Sequence, residues 1–444
     1  MPRLSVIMIV RDESHCVADC LSSVVPIADE ILIADTGSTD DTRAIAERFG
    51  ARVFSIDWND DFAEARNATI AEATGDWLLH MDADEMLAPE GAGRLRQLVD
   101  NDGAGADAIE ITLANYCDEP RAWRWQPVAA DDPWARGHSG YLAVPLLRLF
   151  RRGNGFEYRE PVHENITESV MENGGVIGSS DIVIHHYGYG VAGARGAQKR
   201  ERYLDIARKK AIRHPTDPKA LHDLAEQALA CGHLDEAEQA CRQLLGEHPD
   251  HMPASTTLAN ICLLRGQLGA ARKILESLAA QGNVLPHVHT ALGSIDLHQG
   301  NWPTAENHFR AALALDDRQV MPRLYLARLS DLRGDAQLAR QELEQARRAA
   351  PALNEIALRL QALQERQRGE QAYAAGRMEE SLKLLVAAMR LDVEDPLVHN
   401  DLGVVLHAMG KQPMAIESFK RSMSLMPCLE PPRENLRALE EGGA

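Results

Sequence analysis

The segment WLLHMDADEML, residues 77–87, sets five apolar residues (Trp77, Leu78, Leu79, Met81 and Ala83) beside three carboxylates, Asp82, Asp84 and Glu85. The apolar part has the length of a buried strand, and the acids follow it directly. Like charges this close repel one another, and each resists leaving water. The segment therefore reads as a strand whose carboxyl end meets something positive.

Its surroundings repeat the pattern. LSVIMIV (4–10), EILIAD (30–35), ARVFSID (51–57) and DWLLHMD (76–82) are short apolar or β-branched runs of strand length. Between them, STDDTRAIAERFG opens with capping residues and closes on Gly50. DDFAEARNATIAEATG places Phe62, Ala65, Thr69, Ile70 and Ala73 on one helical face and stops at Gly75. Strand–helix–strand repetition predicts a mostly parallel sheet covered by helices. Ligands of such sheets bind beyond the carboxyl ends of the strands. There the chain puts Arg11, Asp12 and Glu13, then Asp35, Thr36, Gly37 and Ser38, then Asp60 and Asp61, then Asp82, Asp84 and Glu85.

From about residue 216 the strands vanish. Glycine recurs every 34 residues at 232, 266, 300 and 334, then after one step of 42 at 376 and 410. Five residues after each stands a small residue: Ala237, Ala271, Ala305, Ala339, Ser381 and Ala415. Seventeen after comes a break: Pro249, Asn283, Asp317, Pro351, Val393 with Pro396 close behind, and Pro427. Period and positions are those of the tetratricopeptide repeat, in which glycine turns the chain between two helices and the small residue lets them pack closely. Residues 354–361 read as a lengthened helix or an inserted turn. Stacked repeats form a groove that holds a peptide or protein, or they only rigidify or dimerise the chain. The expected division is a sheet domain at 1–190, a helical linker at 191–216, about six repeats at 217–430 and a tail at 431–444.

Bulk properties narrow the function. The chain has 444 residues, 45% hydrophobic and 25% charged, so most of it folds. A formal net charge of −19 argues against a nucleic-acid or anionic-lipid binder. No apolar run is long enough to span a bilayer. MPRLSVIMIVRDE has a short apolar core and ends in charge, so it reads as a first strand and not a signal peptide. Seven scattered cysteines without a CxxC pair fit reduced thiols in a cytoplasm. Cys16 and Cys20, four apart, read as core packing before a redox pair.

Two aspartates one residue apart at a strand end suit a divalent cation. Mg²⁺ and Mn²⁺ take oxygen ligands and share them with a diphosphate. The blocks SVIMIVRDE, ADEILIADTGSTDDT and DDFAEARNATIAEATGDWLLHMDADE resemble the family 2 glycosyltransferases, which have the glycosyltransferase-A fold. The resemblance is dense over residues 3–90 and continues in VPLLRLFRR, YREPVHENI and IVIHHYGYG. The added repeats resemble a subset that includes bacterial peptide S-glycosyltransferases and some flagellin glycosyltransferases. The fold implied is α/β plus all-α: a Rossmann-like, mostly parallel sheet domain followed by an α-solenoid.

The resemblance implies roles. Val10, Arg11 and Glu13 would line the nucleotide base. Asp35 would bond the base or ribose, although many relatives carry a second aspartate where this chain has Thr36; Asp35 could instead cap the DTGS turn. Arg66 and Asn67 would face the nucleotide, or Arg66 would pair with Glu64 or Asp61. Asp82 would reach the ribose or metal, and Asp84 would ligate the metal. His186 would be the late histidine at the metal or diphosphate, with His185 competing. Glu164 is the expected general base, with His163 beside it and Asp131, Asp132 and Glu160 as rivals. The stretch at 121–141 carries three tryptophans that would stack on a sugar, close as a lid, or anchor a loop. The implied cofactors are Mn²⁺ or Mg²⁺ and a nucleotide-diphosphate sugar, with UDP expected. The implied reaction is an inverting, metal-dependent transfer in the cytoplasm to a peptide or protein, by a chain able to form a homodimer. The competing expectations are a glycan or lipid-linked acceptor, or an inactive repeat scaffold.

Overall fold

The computed structural model describes residues 1–122, 125–161, 164–188, 194–280 and 285–442. They form two compact units, 1–117 with 141–261, and 118–140 with 262–444. Among the described residues, no helix is long and apolar enough to cross a membrane.

The N-terminal region runs β1 (Leu4–Val10), α1 (Val17–Val24), β2 (Glu30–Asp35), α2 (Thr42–Arg48), β3 (Arg52–Ser55), α3 (Phe62–Glu72) and β4 (Trp77–His80). It continues with β5 (Glu85–Leu87), α4 (Pro89–Asp100), β6 (Ala108–Cys117), β7 (Trp125–Pro127), β8 (Gly140–Arg151), α5 (Thr167–Glu172) and β9 (Ile177–His186). The sheet order is β3-β2-β1-β4-β8-β6-β9-β5. The first four strands are parallel, β8 joins β4 antiparallel, and β5 joins β9 antiparallel.

Burial on both faces explains the unbroken apolar runs. Leu4, Val6, Met8 and Val10 pack with Val17, Cys20, Leu21 and Val24 on one side of the sheet. Ile7, Leu32 and Leu78 pack with Ala63, Ala73 and Phe150 on the other. Helix α3 buries Ala65, Thr69 and Ala73 of its expected face and adds Arg66 to them. Ala63, Ala65, Arg66 and Thr69 are its buried residues, whereas Phe62 and Ile70 are half-buried. The helix is turned so that a charged residue enters the rim of the sheet.

The repeats begin after α6 (Ala194–Arg213). They run α7 (Pro218–Ala230) and α8 (Leu234–Glu247), α9 (Met252–Leu264) and α10 (Leu268–Ala280), and α11 (Pro286–His298) and α12 (Trp302–Leu315). Then follow α13 (Val320–Leu332) and α14 (Ala336–Ala349), α15 (Asn354–Ala374) and α16 (Met378–Leu391), and α17 (Pro396–Ala408) and α18 (Gln412–Leu425). All six periodic glycines have φ between +69° and +81°, where an L side chain is strained. The six small residues that follow them are 0–1% exposed. The step of 42 is a lengthened helix: α15 has 21 residues where α13 and α17 have 13. Asn283 lies outside the described residues. Residues 431–442 form α19 (Pro431–Gly442), whose Leu439 packs with Leu406, Ala415 and Phe419.

A second glycine series sits inside the first helices of the pairs. A Cβ on Gly403 would lie 2.5 Å from the Phe419 ring, and one on Gly293 would lie 2.6 Å from the Phe309 ring. Glycine-to-alanine at an open helix position stabilises by roughly 1 kcal/mol. Here the sign should reverse: Gly403→Ala is expected to lower stability by about 1–3 kcal/mol through overpacking. Thermal unfolding of the full chain checks this, and Phe419→Leu in the same chain should recover part of the loss.

Candidate active site

The carboxyl ends of β1, β2 and β4 are tied into one rim. At the end of β1, Asp12 Oδ1 accepts from the Thr39 N–H at 2.7 Å, and the Glu13 N–H donates to Thr42 Oγ1 at 2.7 Å. The Val10 carbonyl accepts from the Thr36 N–H at 3.0 Å. Asp35 is 4% exposed, and its Oδ1 accepts from the N–H groups of Gly37 and Ser38 at 2.9 and 2.7 Å. One Asp35 oxygen thus closes the DTGS turn. Arg11 is exposed and Glu13 is half-buried. Cys20 is buried, and its thiol donates to the Asp82 carbonyl at 3.3 Å. All seven cysteines are thiols.

Asp82 meets the chain's own cations. Arg66 of α3 places Nη1 and Nη2 each 3.2 Å from Asp82 Oδ1. Arg148 of β8 places Nη2 3.4 Å from Oδ2. Both arginines are buried. Arg66 also bonds Glu164 Oε1 through Nε at 2.6 Å, and Arg148 bonds Glu85 Oε1 at 2.6 Å. The surface pairing of Arg66 with Glu64 or Asp61 is not what forms: Glu64 bonds Asn59, and Asp61 caps α3. Between the arginines, His80 lies 3.2 Å from Asp82 Oδ1 and 2.8 Å from the Tyr158 hydroxyl.

Two arginines here face three carboxylates, Asp82, Glu85 and Glu164. Burial raises the Asp82 carboxyl, but Arg66 and Arg148 hold it net well below the ordinary range. Burial pushes Glu85 up to about 7, against the pull of Arg148 and with the push of Asp82. Burial and the two arginines push His80 well below the usual imidazole value, so it is neutral.

Asp84 faces elsewhere. Its Oδ2 lies 3.4 Å from His186 Nε2, and His186 Nδ1–H donates to Asn115 Oδ1 at 2.6 Å. A Cβ on Gly188 would lie 1.8 Å from Asp84 Oδ2 and 2.9 Å from His186 Nε2, so the backbone at 188 presses against both. Burial lowers His186, but its hydrogen bond to Asp84 and the neighbouring carboxylates leave it net raised. His185 is on the alternate register of β9, buried, with Nδ1 2.9 Å from the Tyr116 hydroxyl.

The Asp84–His186 separation is close to that of two ligands on one cation with bonds of about 2.1 Å. Carboxylate plus imidazole suits Mn²⁺ better than the all-oxygen preference of Mg²⁺. Asp82 does not join them in a tight triad. Among the described residues, the cluster with three donor atoms within 4.8 Å is Glu13, His15 and Cys16. Of the expected Asp82, Asp84 and His186, the structure brings Asp84 and His186 together, while arginine engages both Asp82 oxygens.

The remaining expected residues separate. Asn67 donates to the Tyr158 carbonyl and accepts from its N–H, both at 2.8 Å, so its amide clamps a backbone. Glu160 pairs with Lys210 at 2.8 Å. Asp131 and Asp132 belong to the other compact unit, where Asp132 accepts from the Trp134 N–H. In that unit Trp125 is buried and packs against Gly140, an anchoring role. His163 and Trp123 lie outside the described residues. Arg148, His80, Asn115 and Gly188 went unread. The available signal was a lone arginine inside the apolar run VPLLRLF.

Comparisons with known proteins bear on this arrangement. Residues 5–167 match the family model described as glycosyl transferase family 2. Residues 228–295 and 290–354 match two tetratricopeptide repeat models. The chain is 29% identical over 439 residues to a TPR repeat-containing protein of Synechococcus elongatus, covering 96% of this chain and 93% of that one. It is 25% identical over 225 residues to the SPbeta prophage-derived glycosyltransferase SunS of Bacillus subtilis, covering 50% of this chain and 48% of SunS. Among solved structures, the APC/C hetero-tetramer Cut9-Hcn1 matches at 17% identity and a TM-score of 0.39, over 54% of this chain and 46% of that one.

Glu85 yields a test. Its folded value of about 7 stands above the ordinary 4.5. Its stabilising contribution is therefore complete below about pH 4.5 and lost as pH rises through 7, a slope of at most about −1.4 kcal/mol per pH unit. Unfolding free energies measured from pH 5 to 7 should fall more steeply in the native chain than in Glu85→Gln, where the slope of this group is absent. Parallel curves would refute the assignment.

Proposed function

From a chain that carries a family 2 glycosyltransferase domain followed by tetratricopeptide repeats, we propose an inverting, metal-dependent transferase that moves a sugar from a nucleotide diphosphate, UDP foremost, to a peptide or protein recruited by the repeats. The observation that carries this reading is the Asp84–His186 pair, 3.4 Å apart at the carboxyl rim of the sheet. Asp84 and His186 would hold the cation, which supplies charge neutralisation for the leaving diphosphate. The Asn115 bond fixes the His186 ring so that Nε2 is the atom presented.

The chain's own groups do the rest. Arg66 and Arg148 keep Asp82 ionised and fixed, so Asp82 orients the ribose through a hydrogen bond. Arg66 holds Glu164 by Oε1, which orients Oε2 to take the acceptor's proton. The acceptor oxygen or sulfur then bonds to the anomeric carbon, the carbon–oxygen bond to the diphosphate breaks, and its electron pair leaves with the nucleotide diphosphate. One displacement inverts the anomeric centre. Stacked repeats of this kind form binding grooves, which favours a protein acceptor, and seven thiols favour a reducing, cytoplasmic location.

Nucleotide release from a panel of sugar nucleotides, with Mn²⁺ or after chelation, tests the reading. UDP-sugars with Mn²⁺ should give release, and Asp84→Ala should abolish it. Glu164→Gln should lower turnover by roughly 10²–10⁴-fold with UDP affinity retained in calorimetry. Release that survives both chelation and Asp84→Ala would sink the metal assignment, and silence across all donors would favour a scaffold.

A further inference from the structure

Lys210 of α6 is buried, 2% exposed, yet it lies outside residues 5–167 that match the transferase family. Its ammonium sits 2.8 Å from Glu160 Oε2 and 2.8 Å from Asp223 Oδ2 of α7. Burial lowers its basicity, but the two carboxylates raise it net above the usual lysine value, so the ammonium is charged. Glu160 has φ +79°, a conformation rare for a residue with a side chain. Such backbone persists where its surroundings over-determine it.

The surroundings are clear. Arg159 and Asn165, which flank Glu160 and Glu164 in sequence, exchange backbone hydrogen bonds at 3.0 Å in both directions. From α3, the Asn67 amide grips the Tyr158 backbone, and the Phe62 N–H donates to the Pro161 carbonyl at 3.0 Å. From the opposite partner, α6, Lys210 grips Glu160. Glu164, next to the paired Asn165, bonds Arg66. A buried ion pair is weak support for stability but can select one geometry.

We propose that Lys210, backed by Asp223, is a positioning residue for Glu164, so that α6 and the first repeat helix are working parts of the transferase. This rests on the reading of Glu164 as the general base.

The test uses the full chain, a UDP-sugar and Mn²⁺, with kcat, KM and UDP affinity measured for Glu160→Gln, Lys210→Met, the double variant, Lys210→Arg and Glu164→Gln. A loop displaced by about 1 Å costs on the order of 10²-fold in rate. Each of the first two variants should therefore lower kcat by roughly 10–100-fold, with UDP affinity nearly unchanged. The double variant should be no worse than either single, because both cut one link. Lys210→Arg should restore most of kcat. Both limbs of the pH profile should stay in place, whereas loss of a base at Glu160 would remove the acidic limb. Lys210→Met takes the lysine from buried Asp223 and half-buried Glu160 and can fail to fold; Glu160→Gln keeps the Lys210–Asp223 pair, so it decides the matter in that case. Native kcat in Glu160→Gln or Lys210→Met, or additive losses in the double variant, overturns the proposal while an inactive Glu164→Gln leaves the base assignment standing. An active Glu164→Gln overturns the base assignment and the proposal with it.

Discussion

The grip of Arg66 and Arg148 on Asp82 is the constraint on which the site depends. Taking one ion out of water costs several kcal/mol even after relaxation, and this rim buries two guanidinium groups and Glu85, with Asp82 half-buried between them. The arrangement stands only as a set. Removing one partner from a buried pair leaves a charge with no compensation, at about 3–5 kcal/mol. Because Arg66 comes from α3, Asp82 follows β4 and Arg148 comes from β8, the same carboxylate fastens three elements together. Parallel and antiparallel parts of the sheet meet at this point, since β8 is the strand that joins β4 in reverse.

That grip divides the two aspartates of DAD. Asp82 is satisfied inside the protein, and Asp84 is directed to His186. The question raised by an apolar run ending in acids thus has two answers a residue apart. One positive partner is built in. The other position is a carboxylate beside an imidazole, with the backbone at Gly188 close to both. The bond to Asp84 and the nearby carboxylates raise the His186 imidazole despite its burial.

Legibility in the sequence followed the length over which a physical signal repeats. The runs at 4–10, 30–35, 51–57 and 76–82 became β1 to β4 because both faces of a central strand are buried. The glycines became left-handed turns because 34-residue spacing leaves one role for them. The region from 108 to 186 carries long strands without a comparable rhythm, and β6, β8 and β9 were not read there. Motif and resemblance singled out Asp84 and His186, and the alternation of β9 places His186 beside Asp84 and His185 beside Tyr116. Arg148 was not legible, since one charge in an apolar strand has no sequence partner; its partners Asp82 and Glu85 lie more than sixty residues away. Asn67 was read as facing a nucleotide, but an amide can serve a backbone equally well, and only the fold decides.

The change of sequence grammar near residue 216 and the physical grouping of the chain do not coincide. Residues 141–261 belong with 1–117, so the first helix pair of the repeats is grouped with the sheet. A stacked array needs its first hydrophobic face covered, and α6 covers it: Lys210 pairs with Asp223 of α7, and Arg208 pairs with Glu236 of α8 at 2.7 Å. On its other side α6 meets the sheet domain through Lys209 and Asp60 at 2.8 Å, and through Tyr203 against Phe62. One helix is thereby both the end cap of a solenoid and the buttress of a loop at the rim. Periodicity marks where a new kind of local structure begins. It does not mark where cooperation between residues ends, because buried charges pair according to space and not according to period.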